Sequence, residues 1–217
     1  MRKLPDDQGA GGGREAPTSR PVRADAQRNI DSLLRTALAV FATSGVDAPV
    51  REIAEQAGVG IGTVYRHFPQ RSDLIVAVFQ HQVDSCADAA AVLAAEHAPG
   101  EALALWMQRY ADFIATKRGL ASALHSGNPA YATLPTYFDT RLRPAFQALL
   151  DAAARAGEVP SATDPDDLLQ AVRSLCMSAQ DDPEYVRRMV ALLVNGLRYT
   201  ARFGEMPPKH MDELRGE

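Results

Sequence analysis

The chain has 217 residues, 46% of them hydrophobic, with 23 Lys and Arg against 27 Asp and Glu for a net charge of -4. That supplies apolar material for one large or two small domains, and no run approaches the roughly 18 consecutive apolar residues of a membrane helix, so no membrane partner is expected. The N-terminus lacks the apolar centre of a secretory signal, so a cytoplasmic protein is expected. Cys86 and Cys176 form no CxxC and meet no histidine at metal-ligand spacing, so no zinc site, disulfide framework or other cofactor is expected. Residues 1–80 carry a net charge of +1 and residues 81–217 carry -5, which leaves the acidity behind the front segment.

Residues 1–22, with Gly11-Gly12-Gly13, Pro17, Pro21 and no apolar periodicity, predict a flexible tail. Its arginines, Arg14, Arg20 and Arg23, precede the first helix as a solvated tail or as an arm reaching toward a groove. From Ala24 the residues Ile30, Leu33, Leu34, Ala37, Leu38 and Phe41 recur at three- and four-residue steps, one apolar stripe on a helix that Gly45 stops. Pro49 suits the first turn of a short second helix that buries Val50, Ile53, Ala54 and Ala57 and ends at Gly58. Gly60 caps a short third helix with Val64, Tyr65 and Phe68 inward and Pro69 just past its end. A long amphipathic helix then runs through Leu74, Ile75, Val78, Phe79 and Val83 toward Leu93.

Every later pattern is helical and none alternates like a strand. Pro99-Gly100 opens a segment with Leu103, Leu105, Trp106, Tyr110, Phe113 and Ile114, and Gly119 begins a shorter one. After Gly127-Asn128-Pro129, a stretch from Ala130 to Ala156 is expected to be kinked or divided by Pro135 and Pro144. Asp164-Pro165-Asp166-Asp167 and Asp182-Pro183-Glu184 each place a capping carboxylate, a first-turn proline and dipole-favoured acids before an apolar stripe. The expected fold is all-α with about nine helices.

Function is concentrated in Val50 to Phe68. Gly58 supplies the positive φ of a tight turn, and Ala54 and Ala57 let two short helices cross closely. One side of the second helix stays free, and Gly60, Ile61, Gly62, Thr63, Tyr65, Arg66 and His67 carry the small, hydroxyl and cationic groups that reach major-groove edges and phosphates. The run IAEQAGVGIGTVYRHF, followed by Pro69, Arg71, Ser72 and Leu74, closely resembles the helix-turn-helix of the tetracycline-repressor (TetR) family. The motif covers Arg28 to Ala87; the rest resembles the family by helix count and length. The resemblance implies phosphate roles for Tyr65, His67 and Arg71, and base contacts for Ile61, Gly62, Thr63 and Arg66. Two positions depart from the family pattern. Pro49 stands where many members have Ser or Thr, so contact there falls to backbone amides or Arg51. Gly60 lacks a capping oxygen, at a cost of a few tenths of a kcal/mol.

The resulting organisation is a tail (1–22), a DNA-binding domain (23–87) and a ligand-binding and dimerisation domain (88–217). Ligand contacts are expected from Trp106, Tyr110, Phe113, His125, Tyr137, Phe138 and Cys176, with Leu124, Tyr131, Phe146 and Met177 as further candidates. The last two helices, with Leu168, Val172, Leu175, Val190, Leu193, Val194 and Leu197, are expected to form the seam of a homodimer on a palindromic double-stranded operator. A small-molecule effector is expected to shift the Leu74-to-Leu93 helix and relieve repression. The rival readings are an enzyme, against which stands the lack of a nucleophile elbow, HExxH or phosphate loop, and a helical ligand-carrier or interaction protein without DNA binding.

Overall fold

The computed structural model describes residues 19–117, 120–179 and 182–204. Residues 1–18, and with them most of the expected tail and its Arg14, lie outside the described residues, as does Gly119. Among the described residues there are nine α-helices and no strand: α1 (Ser19–Ser44), α2 (Val50–Gln56), α3 (Ile61–His67), α4 (Arg71–Glu96), α5 (Pro99–Lys117), α6 (Ala121–Leu124), α7 (Leu134–Arg155), α8 (Pro165–Ser178) and α9 (Pro183–Phe203). A 3-10 turn, Pro129–Tyr131, precedes α7.

The front of the molecule is α1, α2, α3 and the start of α4. Helix α1 begins at Ser19, inside the stretch expected to be tail; Pro21 falls in its first turn, where the backbone N–H it lacks has no intrahelical partner anyway. It ends at Gly45, φ 78°, whose amide bonds to the Phe41 carbonyl at 3.1 Å. Pro49 is the residue before α2, extended at φ -60° and ψ 130°, rather than its first helical residue. Val50, Ile53 and Ala54 are the buried face of α2, as their spacing predicts. Gly58 closes that helix with φ 67°: its amide bonds to Glu55 O at 3.1 Å, and the next amide, of Val59, bonds to Ala54 O at 2.9 Å. This pair of bonds is the left-handed helix stop that aims α3 away from α2.

Arg71 opens α4 and turns inward. Its half-buried guanidinium donates from Nη1 to the carbonyls of Val46 and, at 2.8 Å, Ala48. Arg71, expected at phosphate, thus has a structural role as well: two carbonyls of the α1–α2 loop need a donor, and α4 supplies it. Gln70 and Asp73 form a reciprocal capping box, with the Gln70 amide 2.8 Å from the Asp73 carboxylate.

Behind the front, α4 packs on α5 and α7, and α5 also packs on α8 and α9. Trp106, Tyr110, Leu103 and Met107 of α5 are completely or almost completely buried at the centre. The indole N–H of Trp106 donates to Cys86 O at 2.8 Å, and its ring stacks on Tyr110 and Phe146. Both expected carboxylate caps form: Asp164 accepts from the amides of Asp166 and Asp167, and Asp182 from that of Tyr185. Pro135 sits in the first turn of α7, so it marks a start rather than a kink, and α7 runs unbroken through Pro144. Pro144 is exposed, so the carbonyl its ring leaves without a donor remains open to solvent.

Two substitutions test this account by thermal or urea unfolding. Gly58→Ala meets nothing within 4 Å, so its cost is backbone strain alone, about 1–2 kcal/mol of lost stability. Arg71→Met leaves two loop carbonyls without their donor and lowers stability by about 1–3 kcal/mol.

Candidate nucleic-acid interface and body cavity

Seven residues make α3, and their periodicity separates two faces. Val64 is fully buried, and Ile61 and Phe68 pack half-buried against the core on the same side. Ile61, expected at the bases, is half-buried and helps anchor the helix; it lies one turn before Val64 and shares its inward face. Opposite them, Gly60, Gly62, Thr63, Arg66 and His67 are exposed, and Tyr65 keeps 52% of its surface exposed. Tyr65, which the stripe pattern placed inward, thus belongs to the outer face. Arg66 and His67 occupy the last turn of α3, where cations meet the negative end of the helix dipole.

Neither α2 nor α3 has a side-chain cap at its start. The small Gly60 and Gly62 leave the backbone at the entrance of α3 uncovered; a side chain at Gly62 meets nothing within 4 Å. Arg51 is exposed on α2, with Glu55 one turn further along. A short, shallow surface results: bare backbone, a hydroxyl, a phenol, two guanidinium groups and an imidazole.

The body holds a cavity of about 360 Å³. Phe79 of α4 forms one wall, Leu124 and His125 follow α6, Leu134 and Phe138 come from α7, and Arg173 comes from α8. Asp139 and Tyr131 complete the polar part of the lining. Of the seven ligand residues expected from sequence, His125 and Phe138 line this cavity, His125 at an exposed position and Phe138 buried. Tyr137 faces elsewhere, its hydroxyl donating to the Asp84 carboxylate at 2.8 Å, and Arg141 reaches Asp84 at 2.7 Å and Asp88 at 3.0 Å beside it. The Tyr137 phenol is raised above its ordinary range by desolvation and then by that carboxylate.

Trp106, Tyr110, Phe113 and Cys176 belong to the core rather than to the lining. Phe113 and Phe138 stack at 5.9 Å, and Tyr110 stands 6.3 Å from each of them, one layer behind the wall. Cys176 approaches Ala111 O at 3.7 Å. Burial pushes the Cys86 thiol up to about 12, partly countered by Arg109, so it is unreactive as a nucleophile. Phe79, Leu134, Pro135, Asp139 and Arg173 were not anticipated as lining. Arg173 did leave a trace in the sequence: it puts a charge on the face that carries Leu169 four residues before it and Cys176 three residues after.

The seam residues named from sequence also divide. Leu168, Val172, Val190 and Val194 are buried within the subunit, and Leu175, Leu193 and Leu197 are partly so, because α5 covers that side of α8 and α9. The uncovered apolar groups are Met177 on α8 and Tyr185, Leu192, Tyr199 and Phe203 on one face of α9, with Leu192 60% and Phe203 70% exposed.

Comparison with known proteins covers both halves. Residues 33–78 match the model of the bacterial regulatory proteins of the tetR family, and residues 98–199 match the C-terminal domain of SbtR-like transcriptional regulators. An HTH-type transcriptional regulator of Staphylococcus aureus is 38% identical over 64 residues, which is 29% of this chain and 35% of that protein. The match thus spans about a third of the length of that curated relative. A TetR transcriptional regulator from Streptomyces coelicolor is 36% identical, covers 77% of this chain and 97% of its own, and superposes with a TM-score of 0.68. A TetR regulatory protein from Mycobacterium vanbaalenii is 37% identical over 82% of this chain and 99% of its own, with a TM-score of 0.65. With identity above a third across nearly the whole length of two solved relatives that superpose with TM-scores of 0.68 and 0.65, this chain belongs to the TetR family of transcriptional regulators.

Proposed function

We propose that the protein is a dimeric, cytoplasmic transcriptional repressor that grips a palindromic operator with two copies of α3 and releases it when a small molecule fills the body cavity. The observation that carries this reading is the two-faced α3: Val64 holds it against the core while Thr63, Tyr65, Arg66 and His67 all project to solvent. A helix so placed fits the major groove, with its small N-terminal residues against base edges and its cations at phosphates. Gly62, Thr63 and Arg66 are the base-facing residues, and Tyr65, His67 and Arg51 meet the backbone.

Dimerisation follows from α9. Leu192, Tyr199 and Phe203 leave an apolar strip on its outer face, and Gly196 lies between them with nothing within 4 Å of its position. A glycine inside a helix costs roughly 1 kcal/mol relative to alanine. No neighbour in the same subunit requires it here, whereas a second α9 crossing closely at that point does. Relief of repression is supported by Phe79, which lines the cavity from the helix that also carries the front of the molecule.

Fluorescence anisotropy on an operator recovered by selecting bound genomic fragments tests the DNA-binding reading. The double variant Tyr65→Ala, Arg66→Ala should stay folded and lose at least about 2 kcal/mol of affinity, roughly thirty-fold. Unchanged affinity in the folded variant overturns the assignment of this face. Leu192→Asp, by contrast, should shift the sedimentation mass from two subunits toward one and weaken operator binding without touching α3. A wild-type protein that sediments as one subunit at every concentration rules out the dimer.

A further inference from the structure

The cavity is apolar over most of its wall, yet one hydrogen-bond donor on its lining and another one layer behind it have no acceptor among the described residues. One is Arg173, whose Nε is buried and makes no hydrogen bond. The other is Tyr110, fully buried, whose hydroxyl is likewise without a partner. The charges of Arg173 and Asp139, both on the lining, act on that phenol. Burial holds the phenol well above the ordinary tyrosine range, an effect Arg173 partly offsets, so the hydroxyl keeps its proton and donates. Buried donors without acceptors are costly in a folded protein. An arginine makes its strongest bonds to a carboxylate, through paired N–H groups.

We propose that the effector is a small monocarboxylic acid with an apolar body, its carboxylate paired with Arg173 at the inner end of the cavity and its body lying against Phe79, Leu134 and Phe138. This deepens the sensor reading above and rests on it. The opposing charge on the lining, Asp139, does not reverse the preference, because its carboxylate is exposed and screened by water whereas Arg173 Nε is not. Asp139 instead disfavours a second acid group near the opening, which selects one charge over two. Tyr110 stands one layer behind the wall, so its hydroxyl becomes a further donor to the same acid once the Phe138 ring moves aside.

The test uses the full chain and four probes: octanoate, 4-phenylbutanoate and the primary amide of each. Binding is followed by calorimetry and by the emission of Trp106, the single tryptophan, which stacks on Tyr110 with ring centroids 5.6 Å apart. The acids should bind at least ten-fold tighter than their amides. Arg173→Gln should abolish that preference, and Arg173→Lys should retain part of it. Tyr110→Phe should weaken acid binding severalfold while raising the melting temperature of the free protein, a pair of opposite signs that a purely structural role does not produce. Amides binding as tightly as acids, an acid preference that survives Arg173→Gln, or no binding of either acid overturns the proposal. Operator anisotropy on the same samples separates it from the reading beneath it. An acid that binds through Arg173 but leaves the operator complex intact keeps the acid site and removes its role as a sensor. Release of operator by neutral compounds alone does the reverse.

Discussion

One helix is shared by everything the molecule does. Helix α4 is 26 residues long, about 39 Å end to end, and its interior faces are used twice. Near its start, Leu74, Ile75 and Val78 are buried beneath the front helices; further on, Val83, Cys86, Ala87 and Ala90 are buried against the body. Phe79 is the hinge between the two sets, since it borders the cavity, meets Phe113 edge-on at 6.3 Å and lies beside Leu38 of α1. A continuous helix cannot lengthen or kink sharply without breaking its own hydrogen bonds. In the proposed switch, displacement of Phe79 by a ligand is therefore carried to Arg71 and the loop it holds, and a coupling of about 1–3 kcal/mol between sites is the usual scale for such a link.

The attachment of α4 to the body determines how that displacement is resisted. Asp84 and Asp88 meet Tyr137 and Arg141 of α7, but these groups are partly exposed and such ion pairs contribute roughly 0–1 kcal/mol each. A buried side chain such as Val83 or Phe79 contributes about 1.5–3 kcal/mol. The apolar ridge therefore dominates, and it is non-directional: α4 can slide over α7 if Phe79 and its neighbours stay covered. The Asp84 and Asp88 contacts fix the register rather than the strength of the contact, which suits the two positions that the proposed switch requires.

Much of this was legible in the sequence because it is local. Asp164-Pro165 and Asp182-Pro183 act through amides two or three residues away, and Gly45 and Gly58 through their own φ, so both helix ends were readable without any tertiary knowledge. What was not legible depends on neighbours distant in the chain. Arg71 looks like a surface cation until the carbonyls of Val46 and Ala48 are brought beneath it. Tyr65 and Ile61 exchanged faces because seven residues give barely two turns, too few for a stripe to fix its own phase. The buried stripes of α8 and α9 suggested a seam, but α5 consumes them, and the surface left over is carried by Leu192, Tyr199 and Phe203. Arg173 was passed over because a charge within an apolar stripe reads as a helix edge unless a cavity is known to lie beside it.

The recognition face also explains why a dimer is needed. Among the described residues of the front segment, Arg28, Arg35, Arg51 and Arg66 are exposed cations, while Arg71 is held inward and Asp47, Glu52, Glu55 and Asp73 offset them nearby. One such face can neutralise only a few phosphates, and each contributes roughly one unit of salt slope, so a single subunit binds weakly at ordinary ionic strength. The net charge of -5 over residues 81–217 does not help, although beyond about 8 Å it is largely screened from the duplex. Affinity must therefore come from doubling the contact: once one α3 is seated, the second is held near its half-site at a high effective concentration. That gain exists only while the two reading heads keep the spacing of the half-sites. The apolar strip on α9 fixes that spacing in the proposed dimer and α4 transmits changes to it, so a shift too small to disturb either α3 by itself is enough to lose the operator.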